Sequence, residues 1–136
     1  MTRINCIPPE ELTTLHLLAE YRELPRVFTL AQAASVKNSN RELKELPENY
    51  CLGKGHVTFF YNKLRYCWLR WLCIAAELTK RGIRCDPNIR TSILKAIAPL
   101  SITTLWNNWE PKPCDQYINR ERIRERLDEY HAKNGK

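Results

Sequence analysis

The sequence predicts an all-α domain. Three segments place apolar residues at helical period, no strand-length alternation of apolar and polar residues interrupts them, and the chain contains no internal repeat or low-complexity tract. Its 136 residues, 43% hydrophobic and 27% charged, suit one compact domain over residues 1–136, with about three helices joined by long loops. A chain of this size buries roughly two-thirds of the surface its unfolded form exposes.

The first helical segment runs from about Pro9 to Ala34. Pro8 and Pro9 with Glu10 and Glu11 suit a first turn, because proline needs no donor there and carboxylates face the positive end of the helix dipole. Leu12, Leu15, Leu18 and Ala19 form its apolar stripe, and Pro25 is expected to kink or split it. The second helix is predicted from Thr58 to Arg81, with Phe60, Leu64, Cys67, Trp68, Trp71, Ala75 and Leu78 on one face and Gly82 as its stop. Lys63, Arg65, Arg70, Lys80 and Arg81 fall on the opposite face. Gly53 and Gly55 mark the loop leading in, and Gly53-Lys54-Gly55-His56 reads as a turn with one basic residue, since it lacks the spacing of a phosphate-cradling loop. The third helix is predicted from Asp115 to about Tyr130, with Ile123, Leu127 and Tyr130 at i, i+4 and i+7. Lys37 to Tyr50 and Ile83 to Pro113 read as connections containing short helical turns at most.

Charge narrows the class of partner. Twenty-two Lys and Arg against 15 Asp and Glu give a net charge of +7, which favours a polyanion. The excess is concentrated in residues 51–100, with 9 basic and 2 acidic side chains. A membrane span is not expected: the longest stretch free of charge, Ala96 to Trp109, has 14 residues and contains Pro99. Cys6, Ile7, Pro8 and Pro9 lead directly into Glu10 and Glu11 without the apolar run of a secretory signal, so the expected location is cytoplasmic. The six cysteines, Cys6, Cys51, Cys67, Cys73, Cys85 and Cys114, include no C-x-x-C pair and read as reduced, small, buried apolar side chains, with no metal site expected.

Two features carry chemistry. Met1-Thr2 permits removal of the initiator methionine, leaving Thr2 with a free α-amine whose ordinary pKa of about 7.7–8.0 keeps part of it neutral and nucleophilic near pH 7. His16, Arg22, Glu23 and Arg26 have spacings that helical geometry can bring to one side, where a carboxylate among cations can stabilise a positive intermediate and accept a proton. From spacing alone, the same residues also describe a surface Arg–Glu network.

Longer blocks decide more. Thr2-Arg3-Ile4-Asn5, His16, Ala19-Glu20-Tyr21-Arg22-Glu23-Leu24-Pro25-Arg26-Val27-Phe28, Gly55-His56-Val57-Thr58-Phe59-Phe60-Tyr61 and Lys80-Arg81-Gly82 closely resemble the phage-type pyrimidine-dimer DNA glycosylase and apurinic-site lyase family over residues 2–28 and 51–82. That resemblance implies a three-helix all-α enzyme acting on double-stranded damaged DNA as a monomer, without metal or organic cofactor. It carries the nucleophile to Thr2 and the catalytic carboxylate to Glu23. Arg3, Arg22 and Arg26 match DNA-facing residues of the family, and His16 matches a neighbour of that site. Arg122 and Arg126, four apart in Arg122-Ile123-Arg124-Glu125-Arg126, match a looser basic pattern and are the phosphate-contact candidates, although a solvated Arg–Glu helix face reads the same way. The family's aromatic C-terminal tail is replaced here by Tyr130-His131-Ala132-Lys133-Asn134-Gly135-Lys136. The resemblance therefore carries the lyase chemistry further than the choice of lesion. Trp106 and Trp109 offer alternative stacking surface, but aromatic residues in this setting more often pack.

Other readings stay open on the residues alone. A lyase or glycosylase for a different lesion shares Thr2 and Glu23, whereas a non-catalytic basic DNA-binding module forms no covalent intermediate. An N-terminal-threonine amidohydrolase needs the Thr2 hydroxyl; a Schiff-base enzyme needs only the amine.

Overall fold

The computed structural model describes residues 3–36 and 46–133, the side chain of Val36 excepted. Thr2 lies outside the described residues, as do positions 37–45 of the first predicted connection. Among the described residues the fold is all-α, with five helices of ten residues or more where three were expected: α1 Thr14–Glu23, α2 Arg26–Val36, α3 Leu64–Lys80, α4 Pro87–Ile97 and α5 Pro113–Lys133.

The first predicted helix is three elements. Pro9–Glu11 forms only a 3-10 turn, Leu12 is extended, and the Thr13 hydroxyl caps α1 by accepting the His16 N–H at 3.2 Å. This break rephases the helix: Leu17, Glu20, Tyr21 and the following Leu24 are buried, while Leu15 and Ala19, expected on the apolar stripe, are exposed. Pro25 then separates α1 from α2. Because proline has no N–H, the carbonyl of Tyr21 lacks its usual helical donor, and the Trp71 indole N–H supplies one at 3.0 Å. The Trp71 ring also stacks on Tyr21, with centroids 5.0 Å apart.

The second predicted helix begins later than Thr58. A single helical turn, His56–Phe59, passes through a 3-10 turn, Phe60–Asn62, and breaks at Lys63, where φ is −130° and ψ is 42°. No side chain caps α3; instead the Leu64 and Tyr66 N–H groups donate to the carbonyls of Leu105 and Asn107 at 3.1 and 3.2 Å. Gly82 ends it as predicted. At φ +84°, it allows Gly82 N–H to reach Thr79 O and Ile83 N–H to reach Leu78 O, the paired bonds of a Schellman motif. Gly55 is also required, because its φ is +88° and a Cβ there would lie 3.1 Å from Pro47.

The stretch Ile83 to Pro113, expected to be a connection, contains the eleven-residue α4. Its signals are Asp86, which accepts the Asn88 N–H at 2.9 Å, Pro87 in the first turn, and the i, i+4, i+8 series Ile89, Ile93 and Ile97, of which the last two are buried. The third predicted helix extends to α5, whose anchoring is largely polar. Asp115 and Asn119 are its buried residues, Ile123 packs partly against the core, and Tyr130, predicted on the apolar face, is exposed. The cysteines are all unpaired thiols; Cys6 and Cys67 are buried as expected, but Cys73 and Cys114 are exposed. Trp109 packs, stacking on Tyr50 at 5.7 Å and meeting Phe59 edge-on at 5.2 Å.

Arg70, predicted on the polar face of its helix, is buried at 7% exposure, because its charge is matched by Glu20 at 2%. Arg70 Nε and Nη2 donate to the two Glu20 oxygens at 2.9 and 3.0 Å, and Nη1 donates to the carbonyl of Ile7. Burial alone would lower the Arg70 pKa, and the Glu20 charge and hydrogen bonds reverse that effect. The same carboxylate accepts the Asn5 backbone N–H at 3.2 Å and its amide at 2.7 Å. Asn119 completes the arrangement, accepting the Cys6 N–H at 2.7 Å and donating to Asn5 Oδ1 at 2.8 Å. One residue earlier, Ile4 N–H donates to His56 Nε2 at 2.8 Å. The segment Ile4–Ile7, which forms no helix, is thus held by α1, α3, α5 and the His56 turn.

Two stability predictions follow from these groups. Arg70→Met leaves the Glu20 carboxylate buried without its partner and is expected to destabilise the fold by about 3–5 kcal/mol in chemical denaturation; an unchanged midpoint would contradict the assigned pairing. Burial holds the His56 pKa below its ordinary 6.5, with the Arg3 charge acting in the same direction. As pH falls through 6.5 the unfolded chain binds the proton first, so stability that is full above this pH is lost below it until the folded-state pKa is passed. The limiting slope is about 1.4 kcal/mol per pH unit per proton. Denaturation midpoints that stay level between pH 7.5 and 5.5 would exclude this.

Candidate active site

A cleft of about 300 Å³ opens where the N-terminal segment crosses α1 and α5. It is lined by Arg3, Asn5, His16, Ala19, Glu20, Glu23, Ile123 and Arg126. The spacing of α1 explains the convergence: His16, Ala19, Glu20 and Glu23 fall at i, i+3, i+4 and i+7 and therefore share one helix face. Two carboxylates occupy that face in different states. Glu20 is fully engaged by Arg70 and Asn5, whereas Glu23, one turn further on, has no hydrogen bond or ion pair among the described residues. Glu23 is therefore the carboxylate with acceptor capacity open to a bound molecule.

The cationic side of the cleft is crowded. Burial and the charges of Arg122 and Arg126 hold the Arg3 guanidinium below its usual pKa. Arg3 Nη1 is buried without a hydrogen-bond partner among the described residues, and so is His16 Nδ1. Such atoms have already lost water and gain when an incoming acceptor or donor meets them. Burial, reinforced by Arg3, lowers the His16 pKa, leaving its imidazole neutral at neutral pH. On α5, Arg120 pairs with Glu11 at 2.8 Å, Arg124 with Glu121 at 3.1 Å and Asp128 at 3.2 Å, and Arg122 more loosely with Glu125 at 3.8 Å. Arg126, the cleft residue, has no ion pair among the described residues.

Of the sequence-predicted site residues, Arg3, His16, Glu23 and Arg126 meet in this cleft, and Arg122 stands close enough to act on Arg3. Arg22 and Arg26 are not among the residues that line this cleft. Arg22 faces another cleft, beside Asn88 and Ser92 of α4, because it is one residue, about 100° of helix, away from Glu23. Arg26 begins α2, beyond the break at Pro25, and is exposed. Among the described residues no group of three or more His, Cys, Asp or Glu converges in a metal-holding arrangement.

Sequence reasoning assigned no role to Asn5, Glu20, His56, Arg70 or Asn119. One signal was available. Glu20 lies in phase with buried Leu17 and Leu24, and Arg70 in phase with buried Cys67 and Ile74, so opposite charges occupy two core stripes, the pattern of a buried ion pair.

A family model described as pyrimidine dimer DNA glycosylase matches residues 1–91. The matched span contains Arg3, His16, Glu20, Glu23 and His56; Ile123 and Arg126 come from α5, beyond it.

The like charges at the cleft give a prediction of their own. Arg126→Ala relieves repulsion on Arg3 and is expected to raise the melting temperature slightly at low salt, with the gain vanishing in 0.5 M NaCl. A lower melting temperature at low salt would show that Arg126 is held by attraction instead.

Proposed function

The chain belongs to the pyrimidine dimer DNA glycosylase family, and on that premise we propose that it cleaves the glycosidic bond of the 5′ base of a cyclobutane pyrimidine dimer and then cuts the strand as a lyase. The nucleophile is the α-amine of Thr2 after loss of Met1. It attacks C1′ of the 5′ nucleotide, and the glycosidic bond breaks. The base departs from its sugar while staying joined to its 3′ neighbour through the cyclobutane ring. The sugar opens to a protonated Schiff base on the Thr2 nitrogen. Glu23 stabilises this cation and takes the proton from C2′, and β-elimination expels the 3′ phosphate. Water hydrolyses the remaining Schiff base and frees the amine. The iminium is the electron sink, so the chemistry requires no added cofactor.

The observation that carries this reading is that one cleft is lined both by the bare carboxylate of Glu23 and by Arg3, the residue next to the proposed nucleophile. Arg3, Arg122 and Arg126 suit the phosphates around the sugar, and neutral His16 suits a hydrogen bond within the same cleft. Arg22 near the end of α1 and Arg26 at the start of α2 suit the phosphate backbone on either side of the turn at Pro25. The whole chain acts in this proposal as one folded unit and a monomer on duplex DNA. Among the described residues no helix is long and apolar enough to cross a membrane.

Borohydride reduction on a duplex containing one thymine dimer is expected to trap the Met1-processed protein through Thr2, with Thr2→Ser trapping as well as the parent. Glu23→Gln should lower strand cleavage by about 10²–10⁴-fold while DNA affinity changes little. Full cleavage by that variant removes Glu23 from the mechanism, and an adduct on an abasic duplex alone would retain the lyase and remove the dimer.

A further inference from the structure

Ile4 N–H is two residues from the amine assigned above, so the reach from one nitrogen to the other is at most about 7 Å. Whatever holds Ile4 fixes the origin of that short tether. The holder is His56, whose ring is buried at 3% exposure and locked by partners on both nitrogens. Nδ1 lies 2.8 Å from the carbonyl of Cys51, which can only accept, so Nδ1 carries the proton. Nε2 is left as an acceptor and receives the Ile4 N–H at 2.8 Å. Tyr50 and Phe60 meet the ring edge-on, each at 5.6 Å, and prevent it from turning. Gly55, left-handed at φ +88°, delivers the ring to this position from the preceding loop.

We infer that His56 is a positioning residue for the reaction, holding the N-terminal amine in register with Glu23 through the hydrogen bond from Ile4 N–H. The inference rests on the Schiff-base reading of the site. His56 touches neither substrate nor reacting atoms; it acts through the backbone of residues 2–4. Glu20 anchors the next residue, Asn5, one helical turn from Glu23, so base and nucleophile share a single rigid reference. Burial keeps the imidazole neutral, which preserves the acceptor on Nε2; Arg3 and Glu20 are the charged groups that bear on it.

The two nitrogens can be tested separately. In His56→Gln the amide oxygen stands near the position of Nε2 and can accept from Ile4, whereas in His56→Asn the amide stands near Nδ1 and keeps the contact to Cys51 only. Each variant loses one of two hydrogen bonds, so both are expected to melt below the parent by similar amounts and to bind an abasic duplex within about twofold of it. Single-turnover borohydride trapping should separate them. His56→Gln should trap within a few-fold of the parent, and His56→Asn should fall by about 10²-fold at saturating DNA, the effect of misplacing a reacting group by about an ångström. Amide hydrogen exchange supplies a second readout, with Ile4 protected in the parent and in His56→Gln and unprotected in His56→Asn. If both variants trap equally, or if Ile4 stays protected in both, the inference is overturned while the Schiff-base reading stands. If the parent itself forms no adduct at Thr2, that reading fails and the inference falls with it.

Discussion

The bidentate pair between Glu20 and Arg70 is the constraint on which the rest of the molecule depends. Both groups are almost fully removed from water, a state that is tolerable only because each donor and acceptor finds a partner. The remaining acceptor capacity of Glu20 is directed at Asn5, and the remaining donor of Arg70 at Ile7. The N-terminal segment Ile4–Ile7 has no helical hydrogen bonds of its own, so backbone groups within it are satisfied by side chains. Glu20, Arg70, Asn119 and His56 do this from four different parts of the chain. The proposed nucleophile depends on a fixed adjoining backbone, and this network fixes the backbone from Ile4 onward.

The cleft beside that network has opposite properties. Arg122 and Arg126 repel Arg3, and among the described residues Arg3 and His16 each present a buried polar atom without a partner and Glu23 is unpaired. None of this favours the isolated fold. The repulsion on Arg3 and the unpartnered polar atoms are relieved by an anionic molecule with hydrogen-bonding groups, and a DNA strand with its phosphates and sugars is such a molecule. Stability and binding capacity are thus divided between two adjacent sets of residues on α1: Glu20 turned inward and saturated, Glu23 turned toward the cleft and open. The two carboxylates stand three positions apart on the helix, and their environments differ.

The helical class was legible because Leu64, Cys67, Trp71 and Leu78 keep a helical period that no strand reproduces. Gly82 and Pro25 were legible as punctuation, since a left-handed residue and a missing N–H act locally. The apolar stripe of the first segment was misread, because the Thr13 cap resets the helix phase and Glu20 occupies a core position that hydrophobicity assigns to leucine or alanine. α4 was overlooked because its isoleucines follow a surface-like, polar stretch, although Asp86-Pro87 marks its start. The third helix was expected to dock through Ile123, Leu127 and Tyr130; its polar residues Asn119 and Gln116 do much of that work instead.

What the sequence determined by itself was local or carried by long motifs: the all-α class, the helix-breaking residues, the basic balance and, through the two motif blocks, the family with Thr2 and Glu23 as its proposed chemical groups. Tertiary structure decided which charges are buried and which are open. Arg70 and Arg65 look alike in sequence, and so do Glu20 and Glu23. Their different fates depend on whether a partner at a distance of 50 residues is close enough to replace water. Pairing of that kind is a property of the packed chain, because the free energy of a buried charge is set by what surrounds it and not by its own position in a helix.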